Sequence, residues 1–360
     1  MKVMQLIDSL ELGGAERVAV SYANMLSKHI DRSYLCVTRN EGALKKTLAQ
    51  DVSYHFLDRT KTLDFKAVKR TVAFIQKENI GLIHAHGTSF FFAYLIKRKY
   101  KDVKVIWHNH HGASADYGFL KTALIKNCVL SFDGVIVVNA ELKNWVQNSL
   151  DVPAQKCHYL SNFVEFDNDN SDTKLELPGM APQRVVCLAN LKHPKEHLFL
   201  CLAFNEVVKK YPNATLHLVG KDFQDNYSDL LKALIKQNGL EASIFIHGQE
   251  DDPKKIMDAC DIGVIASSSE GLPMALLEYG KSNLAVVTTD VGECAAVVQD
   301  NGLVVGSGDE YAMKMALETL LDNGERTHKL ADSFTQSVKE MYSLQAIQSK
   351  VLNVYSEING

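Results

Sequence analysis

The chain has 360 residues, 46% of them hydrophobic and 23% charged, with a formal net charge of −4. This composition is ordinary for a globular protein and excludes fibrous and low-complexity classes; the length exceeds what one core usually supports, so two domains are expected. Overall acidity without a reading motif argues against a nucleic-acid partner.

Apolar β-type runs at residues 3–7, 34–38, 53–57, 82–85, 103–107 and 134–138 predict strands in the first half, with helical patterns at 14–26, 66–77 and 120–130. Residues 165–174 are polar and aperiodic and read as a linker or surface loop. The strand pattern restarts at 184–189, 215–219, 243–246, 261–266 and 285–288. Such alternation predicts two Rossmann-like α/β halves, each a parallel sheet with helices on both faces. Ligands of such sheets bind at the carboxyl ends of the strands, so a cleft between the two halves is expected.

Charge is unevenly placed. Through Glu165 there are 22 Lys and Arg against 15 Asp and Glu, and beyond it 17 against 28. Lys97-Arg98-Lys99 and Lys101 form one basic cluster, Lys61, Lys66, Lys69 and Arg70 another, and Phe90-Phe91-Phe92 lies just before the first. Basic residues beside exposed aromatics would suit an anionic membrane surface, whereas aromatics turned into the core leave only a solvated helix face, the commoner case. The opening residues hold too short an apolar run for a signal peptide, and no apolar stretch is long enough to span a bilayer. Seven scattered cysteines without a C-x-x-C pair read as reduced thiols. A cytoplasmic protein is expected, with peripheral attachment to the inner membrane face as an extension of the basic first half.

Five stretches carry chemistry. Gly13-Gly14 turns from the first strand into a helix; it lacks the G-x-G-x-x-G spacing, which counts against a nicotinamide cofactor, and reads equally as a tight turn or a ligand contact. His84-Ala85-His86 and His108-Asn109-His110-His111 each end a predicted strand. Their spacing raises a zinc site, but no Cys, Asp or Glu stands at a matching offset, so no metal is expected and a histidine polarising a substrate hydroxyl is the stronger reading. Asn190-Leu191-Lys192-His193-Pro194-Lys195 follows the first strand of the second half, with Lys195 placed to reach a diphosphate near a helix start. Ser267-Ser268-Ser269-Glu270-Gly271-Leu272-Pro273 links a buried strand to a helix carrying Glu278 about two turns in, with Pro273 at its first turn. Free amides at that junction favour an anion, and two carboxylates beside it favour hydroxyls; the pair fits a nucleotide sugar.

With these residues in place the chain resembles glycosyltransferase family 4, the large retaining group with the GT-B fold, nearly end to end. The likeness is carried by Gly13-Gly14-Ala15-Glu16-Arg17, Leu82-Ile83-His84-Ala85-His86-Gly87, Asp133–Val138, Leu160–Val164, Asn190-Leu191 with Lys195, Val219-Gly220, Gly248, and Ser267 to Glu278 with its E-x7-E spacing. The resemblance implies that Glu270 meets the donor sugar hydroxyls, Glu278 the ribose, and Lys195 the diphosphate. It implies that His110 faces the sugar, with His108 and His111 close enough to compete for that role. Gly13, Gly14, Asn190, Lys192, Gly220, Ser267, Gly271, Leu272 and Pro273 complete the implied donor contacts. The pattern of residues 344–358 resembles the family's last helix, which returns to the first domain, giving expected domains of 1–165 plus 343–360 and 166–342.

Three departures stand out. Asn190 occupies a position where the family often has arginine, with Lys192 a substitute; the glycine usual after the Glu278 helix is altered to Tyr279-Gly280-Lys281; and Glu293 stands earlier than the family's late glutamate. The implied activity is transfer of a hexose or N-acetylhexosamine from a UDP-sugar to a glycan or lipid-linked hydroxyl in cell-surface polysaccharide synthesis. Retention of configuration, no cofactor and no metal are expected. A non-catalytic nucleotide-sugar-binding subunit is the competing class; Glu270, Glu278, Lys195 and His110 together argue against a decayed site.

Overall fold

The structure is a computed structural model describing residues 1–110, 117–166, 175–250 and 252–359. It forms two compact units, Met1–Asn162 with Ile347–Gly360, and Phe163–Ala346.

The first unit holds strands β1 (Lys2–Ser9), β2 (Arg32–Asn40), β3 (Ser53–Phe56), β4 (Leu82–His86), β5 (Lys104–Asn109), β6 (Gly134–Val137) and β7 (Cys157–Tyr159). Its helices are α1 (Gly14–Ser27), α2 (Phe65–Glu78), α3 (Phe90–Lys99), α4 (Phe119–Val129) and α5 (Ala140–Ser149). The second unit contains β8 (Arg184–Leu188), α6 (His197–Lys210), β9 (Thr215–Val219), α7 (Asn226–Gln237), β10 (Ile244–Gly248), α8 (Lys254–Met257) and β11 (Ile262–Ile265). It continues with α9 (Met274–Lys281), β12 (Ala285–Thr289), α10 (Cys294–Val298), β13 (Leu303–Val305), α11 (Glu310–Asp322) and α12 (Gly324–Tyr342). The last helix, α13 (Leu344–Asn359), joins the first unit from Ile347 onward. There its Ile358 packs on Gly134 and its Tyr355 is buried against His84.

Both sheets are parallel throughout their described pairings, in the orders β3-β2-β1-β4-β5-β6-β7 and β10-β9-β8-β11-β12-β13. The central strands read as unbroken apolar runs because both faces are covered: Ile262, Val264 and Ile265 of β11 are at most 4% exposed. Short strands β7 and β13 carried too little periodicity to be expected from sequence. Each order reverses at one place, between β1 and β4 in the first sheet and between β8 and β11 in the second. Crossovers leave those two strands in opposite directions, and the gap that opens at their carboxyl ends is where such sheets take ligands. The sequence-selected loops after β1, β4, β8 and β11 all emerge at these two reversals.

Helix starts are set locally. The Asp64 carboxylate accepts from the Ala67 amide at 2.9 Å to open α2, and Asp225 accepts from the amides of Tyr227 and Ser228 at 3.1 Å to open α7. Caps of this kind contribute about 1 kcal/mol each. All seven cysteines are buried and unpaired, matching the expectation of reduced thiols. Of the aromatic run before the basic cluster, Phe92 is fully buried and Phe90 packs against Trp107. Those rings serve the core, as the commoner reading held.

Candidate active site

The second unit gathers most of the selected residues. Two loops, 189–196 after β8 and 266–273 after β11, are tied together through backbone and side chains. The Ser268 amide donates to the Pro194 carbonyl at 2.9 Å, the Ser268 hydroxyl to Glu196 Oε1 at 3.0 Å, and Lys195 Nζ to Glu270 Oε1 at 2.5 Å. Ser267 Oγ donates to the same Glu270 oxygen at 2.6 Å, while the Ser267 carbonyl accepts from Thr289 Oγ1 at 2.7 Å. Glu270 is thus oriented from two sides, with its side chain 10% exposed and that of Lys195 24%.

The backbone beneath Glu270 is braced by residues the sequence reading did not assign. Gly292 adopts φ +54°, and a Cβ there would lie 2.3 Å from the Glu270 carbonyl oxygen. Glu293, which had looked displaced, donates its amide to the Gly271 carbonyl at 2.9 Å, so this turn lies directly on the Glu270–Gly271 backbone. Glu196, immediately before α6, holds a left-handed φ of 55°, a costly conformation for a side chain that bonds across to Ser268.

Helix α9 begins at Met274 with Pro273 at its cap position, one residue later than expected, so Glu278 stands just over one turn into the helix. Gly271, Leu272 and Pro273 are buried at the junction and Glu278 is half-buried. Tyr279, the next residue, fixes the helix. Its fully buried hydroxyl accepts from the Leu188 amide at 2.7 Å and donates to the Val264 carbonyl at 3.1 Å, clamping α9 to the two reversal strands β8 and β11. Gly263 leaves room for the ring: a Cβ there would lie 2.5 Å from it. The departure at Tyr279 therefore has a structural role. Its signal in the sequence was a glycine in a buried strand facing an aromatic residue on the following helix.

Asn190, standing where the family often has arginine, has a structural use. Its Oδ1 accepts from the Lys221 amide at 2.9 Å, pinning the Gly220 turn to the loop after β8. Gly220 itself donates to the Gly248 carbonyl at 2.8 Å, joining the ends of β9 and β10. Lys192 is exposed, its ammonium 5.9 Å from the centre of the Phe223 ring.

The remaining candidates belong to the first unit. Gly13 is the extended residue before α1, and Gly14 its exposed first residue. His110 follows β5 directly and is half-buried, whereas His108 is fully buried within the strand; His111 lies outside the described residues. His110 Nε2 lies 3.0 Å from His86 Nδ1, and His86 Nε2 lies 2.7 Å from Gln5 Oε1. Burial pushes His86 down to about 3 and His84 and His108 well below the ordinary imidazole range, so all three are neutral. His110 is the histidine of the set that reaches the strand end, which distinguishes it from His108.

Among solved structures, HepE of Anabaena in complex with UDP and glucose matches with a TM-score of 0.85 over 99% of this chain and 100% of that one, at 19% identity. The fold is therefore of the GT-B class. The family model described as Glycosyltransferase Family 4 matches residues 12–168, and that described as Glycosyl transferases group 1 matches residues 182–323. Full-length relatives agree. The capsular polysaccharide biosynthesis glycosyltransferase CapH of Staphylococcus aureus is 24% identical over 311 residues, 83% of this chain and 84% of that protein. The GalNAc-alpha-(1->4)-GalNAc-alpha-(1->3)-diNAcBac-PP-undecaprenol alpha-1,4-N-acetyl-D-galactosaminyltransferase of Campylobacter jejuni is 23% identical over 387 residues, 100% of this chain and 99% of that protein. The chain belongs to the family 4, group 1 glycosyltransferases.

Proposed function

We propose that the protein transfers a hexose or N-acetylhexosamine from a UDP-sugar, with retention, to a hydroxyl of a glycan or lipid-linked acceptor in cell-surface polysaccharide synthesis. The observation that carries this reading is the joined pair of loops at the second sheet's reversal point. There Lys195 and Glu270 meet beside the N-terminus of α9, with Glu278 one turn further along. A cation and open helix amides suit a diphosphate, and two flanking carboxylates suit sugar and ribose hydroxyls. UDP as the donor nucleotide is supported by the ligand of HepE, and a lipid-linked acceptor by the name of the Campylobacter jejuni relative.

In this mechanism the bond from the anomeric carbon to the diphosphate lengthens, charge develops on the leaving oxygens, and Lys195 with the α9 amides stabilises it. Glu270, held by Ser267 and Lys195, fixes the sugar hydroxyls so that the acceptor attacks the face the diphosphate leaves. The departing phosphate oxygen takes the acceptor proton. In this reading Gly13, Gly14 and His110 serve ligand binding at the first sheet's own reversal point. No metal enters these steps.

Attachment to an anionic membrane surface is part of the proposal, relocated from residues 90–92 to α4. That helix exposes Phe119 at 84%, Leu120 at 83% and Leu124 at 49%, interleaved with Lys121 and Lys126. No helix among the described residues is long and apolar enough to cross a membrane. A thermal-shift screen of nucleotide sugars tests the donor assignment: UDP-sugars should raise the melting temperature most. Stabilisation by GDP- or ADP-sugars alone would overturn it.

A further inference from the structure

The first sheet's reversal point carries an imidazole cluster of which the proposed transfer uses only the rim, at His110. Side chains alternate along a strand, so His84 and His86 of β4 share one face. Parallel register sets Gln5 of β1 opposite His84, and His108 of β5 opposite His86, which puts all four on that face. Tyr22 of α1 and Tyr355 of α13 cover it, Tyr22 meeting all three imidazoles edge-on and Tyr355 meeting His84. His84, His86 and His108 are each at most 1% exposed, and one ring nitrogen from each lies within 4.8 Å of the others.

The hydrogen bonds assign the nitrogens. Tyr355 Oη lies 2.5 Å from His84 Nδ1 and leaves His84 Nε2 without a protein partner. Gln5 Oε1 can only accept, so His86 Nε2 carries the proton, and His86 Nδ1 presents a lone pair toward the cluster. His108 lacks a hydrogen-bond partner at either nitrogen. A fully buried imidazole with both nitrogens unsatisfied is costly and calls for a ligand that is not a side chain.

We infer that His84, His86 and His108 form a binding site for one borderline divalent transition-metal ion of the zinc type, coordinated through ring nitrogens. Tyr355 and Gln5 are its outer partners, orienting His84 and His86 through the nitrogens that face away from the ion. The group contains no carboxylate or thiolate among the described residues, which suits zinc, cobalt, nickel or copper and disfavours calcium and magnesium. His110 Nε2, 3.0 Å from His86 Nδ1, stands beside the same point as a further nitrogen. The expectation of no metal rested on the lack of a Cys, Asp or Glu at a matching offset; the register of β4 and β5, which sets His108 opposite His86, supplies a third imidazole instead. The site is structural: it pins α13 to β4 through Tyr355 and takes no part in glycosyl transfer. It stands whatever the donor and acceptor are.

The test uses the full chain without a polyhistidine tag. Elemental analysis of the purified protein should find zinc or a neighbouring metal at one ion per chain. After chelation, Co2+ should restore one equivalent and give the intense visible absorption of a tetrahedral nitrogen site. His108→Leu and His84→Leu should each abolish that absorption, and Tyr355→Phe should weaken metal affinity by about 10–100-fold. No stoichiometric metal in the purified wild type and no Co2+ spectrum on reconstitution would overturn the inference, as would a folded His108→Leu variant that binds Co2+ like the wild type. Should both leucine variants fail to fold, wild-type stoichiometry together with the Tyr355→Phe affinity decides.

Discussion

Lys195 Nζ donates to Glu270 Oε1 at 2.5 Å, joining the loops that leave the two strands flanking the second sheet's reversal. In the proposed reaction these residues serve the leaving diphosphate and the sugar as a unit. Glu270→Ala and Lys195→Ala should each lower kcat/KM by about 100-fold or more, and the double variant should cost much less than the product of the two. Steady-state kinetics on the three variants checks this. Fully multiplicative losses would show that the pair does not act together.

Tyr279→Phe tests the clamp on α9. Removing the hydroxyl leaves the Leu188 amide and the Val264 carbonyl without that partner inside the sheet, at a cost of about 1–3 kcal/mol. The urea midpoint should fall accordingly. Because Glu278 adjoins Tyr279 in the helix, the KM for donor should rise as well; an unchanged midpoint would contradict the clamp.

At Gly292, alanine introduces strain through φ +54° and a Cβ aimed at the Glu270 carbonyl. Backbone strain of this kind costs about 1–3 kcal/mol. The expected outcome is a loss of transfer activity larger than the thermal destabilisation accounts for, since the displaced backbone is that of Glu270. Activity and melting temperature measured on the same preparation distinguish the two.

Much of this was legible in the sequence, and what was not has identifiable causes. Strands of four or more apolar residues could be read because both faces of a parallel sheet are buried, and the loops after β1, β4, β8 and β11 were marked by Gly, His, Lys and Glu at strand ends. The three-residue strands β7 and β13 were too short to show a period. Tyr279 was noticed only as a departure because its function depends on Gly263 and Leu188, which are distant in sequence. Glu293 looked misplaced because its contribution to the site is a backbone amide, which no side-chain pattern records. Asn190 was read as a donor contact standing where the family often has arginine, whereas its amide side chain holds a turn.

Acid should destabilise the fold through its buried histidines. Burial lowers His197 and His217 from the ordinary 6.5 to about 4 in the second unit. The unfolded chain therefore binds protons below pH 6.5 that the folded chain refuses, so stability is greatest above 6.5 and declines as pH falls toward about 4. Urea midpoints across that window should drop steadily. A flat profile would show that these imidazoles are not held neutral.

For membrane attachment, flotation with vesicles containing anionic lipid should recover the wild-type protein, and Phe119→Ser with Leu120→Ser should abolish recovery. Raised salt should weaken binding through Lys121 and Lys126. Equal recovery with purely zwitterionic vesicles would remove the electrostatic part of the proposal.

The most direct test of UDP-sugar turnover at Glu270 is time-resolved NMR of an α-linked UDP-sugar incubated with purified protein, water serving as acceptor. The account predicts release of UDP with the α-anomer of the free sugar appearing first, and no release with Glu270→Ala. Binding without turnover, or initial release of the β-anomer, would contradict it.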